Sequence, residues 1–173
     1  IICGISMEGL QTMAEMLKNR DMEKYYLCIV KGKLNKPQKV SAYLRKDEKT
    51  NKVTVSKQEI FGGNHIETAY EPVISNDEFT LLKVKLITGK THQIRAHLAS
   101  IGHPLIGDFK YGDRKINQQM KQRFGLKDQL LHCQEIVFPK HMKTCSNLSG
   151  KRIQAPLPKR FETIKQELFG RDL

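Results

Sequence analysis

The sequence has no tryptophan, and none of its four cysteines belongs to a Cys-x-x-Cys pair. Cys3, Cys28, Cys133 and Cys145 are too scattered for a zinc ribbon, and 173 residues can bury a core without disulfide staples. No metal site is expected. Cys3 and Cys28 lie in apolar runs and are expected in the core. No apolar run approaches bilayer-spanning length and no secretory signal is recognisable, so a reducing cytoplasm is the expected setting. Acidic residues are few: 18 Asp and Glu stand against 30 Lys and Arg, a formal charge of +12. Such an excess favours a polyanionic partner, with nucleic acid first and an acidic membrane surface second. Without tryptophan, any base stacking falls to Tyr, Phe, His or Arg.

Hydrophobic periodicity then divides the chain. Residues 1–5 read as the end of a buried strand, and Ser6 is placed to cap a helix whose stripe is Leu10, Met13 and Leu17, with Ala14. Residues 24–30 are a run of aromatic and β-branched residues. Tyr26, Cys28 and Val30 fall on one face and Tyr25, Leu27 and Ile29 on the other, as in a strand covered on both sides. Residues 31–37 read as a basic turn and residues 45–52 as a charged, exposed loop. Strands are expected over residues 53–56, 66–74, 79–86 and 131–138, with Gly62, Gly63 and Asn64 turning between two of them. Residues 103–113 form a Gly- and Pro-punctuated loop, and residues 114–125 are a short helix or a loop. Residues 139–151 are a polar excursion, and Pro158 opens a last helix lined by Phe161, Ile164 and Leu168. No repeat or linker divides the chain. One α+β domain is expected, with a mixed, largely antiparallel sheet and flanking helices; strict β-α-β alternation is missing.

The most informative stretch runs from Thr88 to Leu98. A strand in which Leu82, Val84 and Leu86 share a face is broken by Gly89, and Thr91 is placed to cap a helix from His92. Ile94, Leu98 and Ile101 make its buried stripe, with Arg95 beside it. Lys90, Thr91, His92, Gln93 and Arg95 therefore crowd one helix start, a setting for an anion or a polar substrate. Gly89-Lys90-Thr91 is not a phosphate-binding loop, because Val84 stands where the first glycine is required. His92 and His97 are five apart, about 140° round a helix, and do not close on one metal ion. A plain solvated helix start explains the same residues equally well.

Several separated segments resemble the RluA-type pseudouridine synthases, which isomerise uridine in structured RNA. Thr88-Gly89-Lys90-Thr91-His92-Gln93-Ile94-Arg95 is similar to their Thr-Gly-Arg-Thr-His-Gln-Ile-Arg signature. Gly102-His103-Pro104-Leu105-Ile106-Gly107-Asp108, with Tyr111-Gly112, continues the pattern, as do Leu131-His132 with Phe138 and Ala155-Pro156-Leu157-Pro158. Residues 24–30 resemble the strand that carries the family's active-site tyrosine, which falls on Tyr26. Lys90 replaces the usual arginine, keeping the charge without the planar fork.

The resemblance implies Tyr26 and Arg95 as catalytic residues, and Lys90, Thr91, His92 and Gln93 as the substrate- and RNA-binding set. It implies no cofactor, a structured RNA partner (rRNA or tRNA), no membrane and a monomer. The family's nucleophilic aspartate lies in a His-Arg-Leu-Asp segment before a strand similar to Ile1-Ile2-Cys3. It is therefore expected just upstream of Ile1, leaving this chain inactive alone. Arg95 can alternatively pair with Asp108, which otherwise reads as a turn residue. A non-catalytic RNA-binding domain is the main alternative, and an acid-binding module without an RNA role is a third.

Overall fold

A computed structural model describes residues 2–170. The elements run α1 (Met7–Asn19), β1 (Glu23–Lys31), β2 (Gln38–Asp47), β3 (Lys52–Ser56), β4 (Asn64–Ser75), β5 (Phe79–Leu86), α2 (Gln93–Ser100), α3 (Arg114–Phe124), β6 (Leu131–Val137), β7 (Arg152–Gln154) and α4 (Lys159–Phe169), with a single 3-10 turn at Ser146–Leu148. The seven strands form one sheet in the order β3-β2-β4-β5-β1-β6-β7. All six pairings among the described residues are antiparallel, so the sheet is antiparallel rather than mixed.

The centre of the sheet is the β1–β5 pair, and its alternation divides the core in two. Cys28 sits opposite Leu82 and Tyr26 opposite Val84. With Val30 they face Ile94 and Leu98 of α2. Leu27, Ile29, Phe79 and Leu81 point the other way, onto Met120 of α3, Leu126, Leu130 and Phe161 and Ile164 of α4. Both faces of β1 are thus covered, which is why it reads as a continuous apolar run. Full burial of side chains such as Leu82, Leu98 and Ile164 stabilises the fold by about 1.5–3 kcal/mol each.

The helix signals hold where a cap is present. The Ser6 hydroxyl accepts from the Gly9 amide at 3.1 Å. The Asp113 carboxylate accepts from the Ile116 amide at 3.1 Å, which makes residues 114–124 a helix that ends on Gly125 at φ +65°.

Three further expectations are corrected. Residues 2–5 form no strand; Ile2 and Ile5 are exposed and so is Cys3, because nothing packs over them. In α1, Met13 and Met16 are buried against Met22 and Phe138, while Leu10 and Leu17 remain about half exposed. The helix has two adjacent apolar edges, and its partners turned the methionine edge inward. Much of the charged stretch 45–52 is strand: Arg45 pairs with Thr54 and Asp47 with Lys52, leaving only a tight turn between β2 and β3. Two strands lack a clear sequence signal: β2, where Lys39, Arg45, Lys46 and Asp47 interrupt the apolar residues, and the edge strand β7, which is three exposed residues long.

Replacing Leu98 by Ala is expected to cost about 2–5 kcal/mol in urea unfolding, because the cavity opens between α2 and the central strands. Ile5→Ser, at a fully exposed position, is expected to stay within about 0.5 kcal/mol of the parent.

Candidate active site

The turn between β5 and α2 is stapled to β4 by one buried side chain. The Gln93 amide nitrogen donates to the Glu67 carbonyl at 2.9 Å and to the Thr68 hydroxyl at 3.1 Å. Its oxygen accepts from the Thr88 hydroxyl at 2.9 Å and from the Lys90 amide at 3.1 Å. Gln93 is 2% exposed and its bonding capacity is spent inside. This corrects its expected place on the RNA-facing surface: it shapes the loop that carries the others. Thr91 is corrected too. The residue preceding the helix is His92, in the left-handed region at φ +53°, so Thr91 stands one position too early to cap and is exposed on the turn.

His92 is held in that unusual backbone conformation beside Tyr111. The Tyr111 hydroxyl accepts from the Val53 amide at 3.0 Å and lies 3.0 Å from His92 Nδ1. One proton is shared between the Tyr111 oxygen and His92 Nδ1, which fixes the ring's orientation and leaves Nε2 outside this bond. Partial burial, then the Arg95 and Lys110 cations, hold the His92 pKa below its ordinary value, so the ring is neutral at pH 7. His97 belongs to the interior: its Nδ1 lies 3.0 Å from the Thr68 hydroxyl, and burial lowers its pKa to about 4.

Arg95 is gripped by Asp108. Its Nε donates to Oδ2 at 2.7 Å and its Nη2 to Oδ1 at 2.8 Å, a bidentate pair in which Asp108 is fully buried. Oδ1 also accepts from the amides of Lys110 and Tyr111, so Asp108 is a turn residue as well as an ion partner. Burial alone would raise its pKa, but Arg95 and the two amides outweigh it and keep the carboxyl below the usual range. The alternative reading, in which Arg95 pairs with Asp108, is therefore the arrangement seen. The guanidinium lies 5.2 Å from the Tyr111 ring centroid, and its Nη1 makes no hydrogen bond among the described residues.

Tyr26 approaches from the central strand. It pairs with Val84 on one side and Cys133 on the other, beside a bulge where β1 and β6 shift register between Tyr25 and Tyr26. Such bulges re-aim neighbouring side chains. Burial, then the adjacent Cys133 thiol, pushes the Tyr26 phenol up to about 12, so it stays protonated at neutral pH.

Tyr26, Lys90, His92 and Arg95 line one cleft of about 340 Å³, joined by Gln93 and Ile94 at its base and by Leu86, Gln129 and Leu131. The juxtaposition of Tyr26 with Arg95, implied by the resemblance alone, is thus present in the geometry. Tyr111, Asp108, Gln129 and Leu131 were not identified as site residues. Tyr111 belongs to a segment similar to the family pattern but has no role implied by it, and Gln129 carries no sequence signal. The cleft is cationic and has an aromatic wall, a neutral imidazole and an oriented guanidinium. It is suited to hold a flat polar ring next to an anionic group.

An antiparallel seven-stranded sheet with this arrangement of helices is the fold of pseudouridylate synthase domains. Human RNA Pseudouridylate Synthase Domain Containing 4 superposes with a TM-score of 0.74 at 19% identity, covering 94% of this chain and 68% of that one. Human RNA Pseudouridylate Synthase Domain Containing 1 gives 0.70 at 19%, covering 89% and 62%. The sequence profile described as "RNA pseudouridylate synthase" matches residues 1–100, and the chain belongs to that family. It is 37% identical over 160 residues to the Ribosomal large subunit pseudouridine synthase C of Pasteurella multocida, covering 90% of this chain and 46% of that protein. The protein of the same name from Haemophilus influenzae is 35% identical over 164 residues, covering 92% and 48%. The chain therefore spans about half the length of these curated relatives.

Arg95→Gln is expected to cost about 3–5 kcal/mol at pH 7, because Asp108 is left buried and unpaired. Asp108's depressed pKa stabilises the parent above the ordinary carboxylate value, and that contribution is lost as pH falls through the folded value. The difference between variant and parent should therefore shrink on acidification, as read by thermal melts across pH. The same variant should raise the His92 pKa, measured by NMR titration, since a neighbouring cation is lost and the Asp108 charge is uncovered.

Proposed function

We propose that this chain is the C-terminal major part of one pseudouridine synthase catalytic domain. The protein to which it belongs converts a specific uridine of structured RNA, ribosomal or transfer, to pseudouridine. The observation that carries this reading is the meeting of Tyr26 and Arg95, from distant parts of the sequence, in one cleft rimmed by Lys90 and His92. The names of the relatives favour ribosomal RNA.

The reaction breaks the C1′–N1 bond of uridine and forms a C1′–C5 bond. A carboxylate attacks C1′ and the bond electrons leave with the uracil. The base turns, C5 bonds to C1′ as the carboxylate departs, and the C5 proton is lost while N1 gains one, so no redox or organic cofactor is needed. Tyr26 offers the ring that holds the detached uracil; with its phenol protonated, it is a donor and a surface rather than a base at C5. Arg95, fixed by Asp108, presents its remaining N–H groups to the attacking carboxylate and keeps it ionised. Asp108 is a poor attacking group, being buried and bonded through both oxygens. We place the nucleophile in the segment that precedes Ile1 in the longer protein.

Lys90 and His92 meet the phosphate and the polar edge of the flipped nucleotide, and the charge of +12 holds the surrounding RNA. Lys90 does so as a point charge. A cytoplasmic monomer acting on RNA fits this chemistry.

Tritium release from RNA labelled at uridine C5 tests the reading. The longer protein should release tritium and lose that activity when its upstream aspartate becomes asparagine, with RNA binding largely kept. The 173-residue chain alone should bind RNA weakly and release none. Robust release by the chain alone would place the nucleophile within these residues. Silence from both would favour a non-catalytic RNA-binding domain.

A further inference from the structure

The loop that holds Asp108 leads directly into α3, a helix whose four charged residues, Arg114, Lys115, Lys121 and Arg123, are all positive. Its inner side, Asn117 and Met120, is buried. Arg114, Gln118, Lys121 and Gln122 recur at i, i+4, i+7 and i+8 on the outside and are all exposed. Arg123 is answered by Glu167 at 3.1 Å. Among the described residues, Arg114, Lys115 and Lys121 have no ion pair. The acid that adjoins Arg114 in the chain, Asp113, is engaged by Lys31 at 2.7 Å and caps the helix. Phe109 stands at the foot of this face and is 52% exposed, an aromatic ring the core does not use. Phe109, Arg114, Gln118, Lys121 and Gln122 line a groove of about 630 Å³ without a single carboxylate.

Lysines and arginines on a helix are usually only solvated. An aromatic ring held in water among cations and amides is, in addition, the composition of single-strand nucleic-acid platforms, where a ring stacks a base and cations track the phosphates. We propose that this groove is a second RNA subsite, taking an unpaired nucleotide that flanks the one in the cleft. Its base stacks on Phe109, its edge meets the Gln118 and Gln122 amides, and the adjoining phosphates lie on Arg114 and Lys121. This rests on reading the protein as one that handles RNA. The subsite is tied to the cleft through one residue: Phe109 follows Asp108, whose carboxylate grips Arg95. A membrane surface fits less well, since the groove is concave and offers only one large apolar side chain.

Fluorescence anisotropy of the 173-residue chain with a uridine hairpin carrying a single-stranded flank tests the subsite across a salt series. Phe109→Ala should weaken binding about tenfold with little change in salt slope. The double variant Arg114→Gln, Lys121→Gln should reduce the slope of log affinity against log salt by about 1.4. Unchanged melting temperatures would show that these exposed variants remain folded, and 4-thiouridine in the flank should crosslink within residues 109–122. Variants that bind and crosslink like the parent would overturn the proposal. So would a parent that binds no RNA at low salt, or variants that lose only binding to phosphatidylglycerol vesicles. Tritium release by the longer protein separates the two readings. Its absence defeats the isomerase reading and leaves the anisotropy result standing; its persistence at unchanged KM for RNA in both variants defeats the subsite alone.

Discussion

The bidentate Arg95–Asp108 pair is the contact through which the parts of the site are held in register. Arg95 belongs to α2, which is anchored on the central strands through Ile94 and Leu98. Asp108 belongs to a loop with no regular structure of its own apart from one bridge, Leu105 to Val30. Joining them fixes that loop, and with it Tyr111, which orients His92 and bonds back to β3 through the Val53 amide. A charge with no solvent exposure is costly unless it is paired and hydrogen-bonded. Asp108 meets both conditions, accepting from Arg95 and from two backbone amides. The pair is thus better understood as a constraint on geometry than as a large net gain in stability.

Around it, polar groups are either spent or poised. Gln93 and His97 lie within hydrogen-bonding distance of the same buried Thr68 hydroxyl, so the inner side of α2 is wired to β4. Lys90, His92 and the free edge of Arg95 are left for the cleft. Partial burial, then the neighbouring cations, hold the His92 pKa down, and burial raises that of Tyr26, so near neutral pH both rings are uncharged. Such a site, with Lys90 and the Arg95 guanidinium beside the two rings, attracts an anion and binds a polar ring.

The central strand carries a double duty. Leu27 and Ile29 fill the core under α3 and α4, while Cys28 and Val30 fill the core under α2. Tyr26 shares the second face but lies at its margin, where β1 and β6 shift register and the ring reaches the cleft. The alternation that builds the core therefore also aims the aromatic ring.

The sequence by itself determined the elements whose signal is local. β5, the covering of β1 on both faces and the Ser6-capped helix follow from period-two alternation and from one hydroxyl at the right position. The cleft pair was reachable only because a long motif resembles a known family; spacing alone left Tyr26 a core tyrosine and Arg95 a surface cation. Tertiary structure decided what depends on partners far along the chain. It turned Met16 inward beside the expected Met13 and left Leu10 and Leu17 about half exposed, because the methionine edge meets Phe138. It made a strand of Gln38–Asp47, whose Val40, Ala42 and Leu44 are buried although charges stand on either side. It also took Gln93 from the surface into the interior, since four hydrogen bonds to β4 and the turn outweigh its solvation. Periodicity records which side chains can share a face, whereas which face is covered, and by what, is settled only when distant segments compete for the same buried surface.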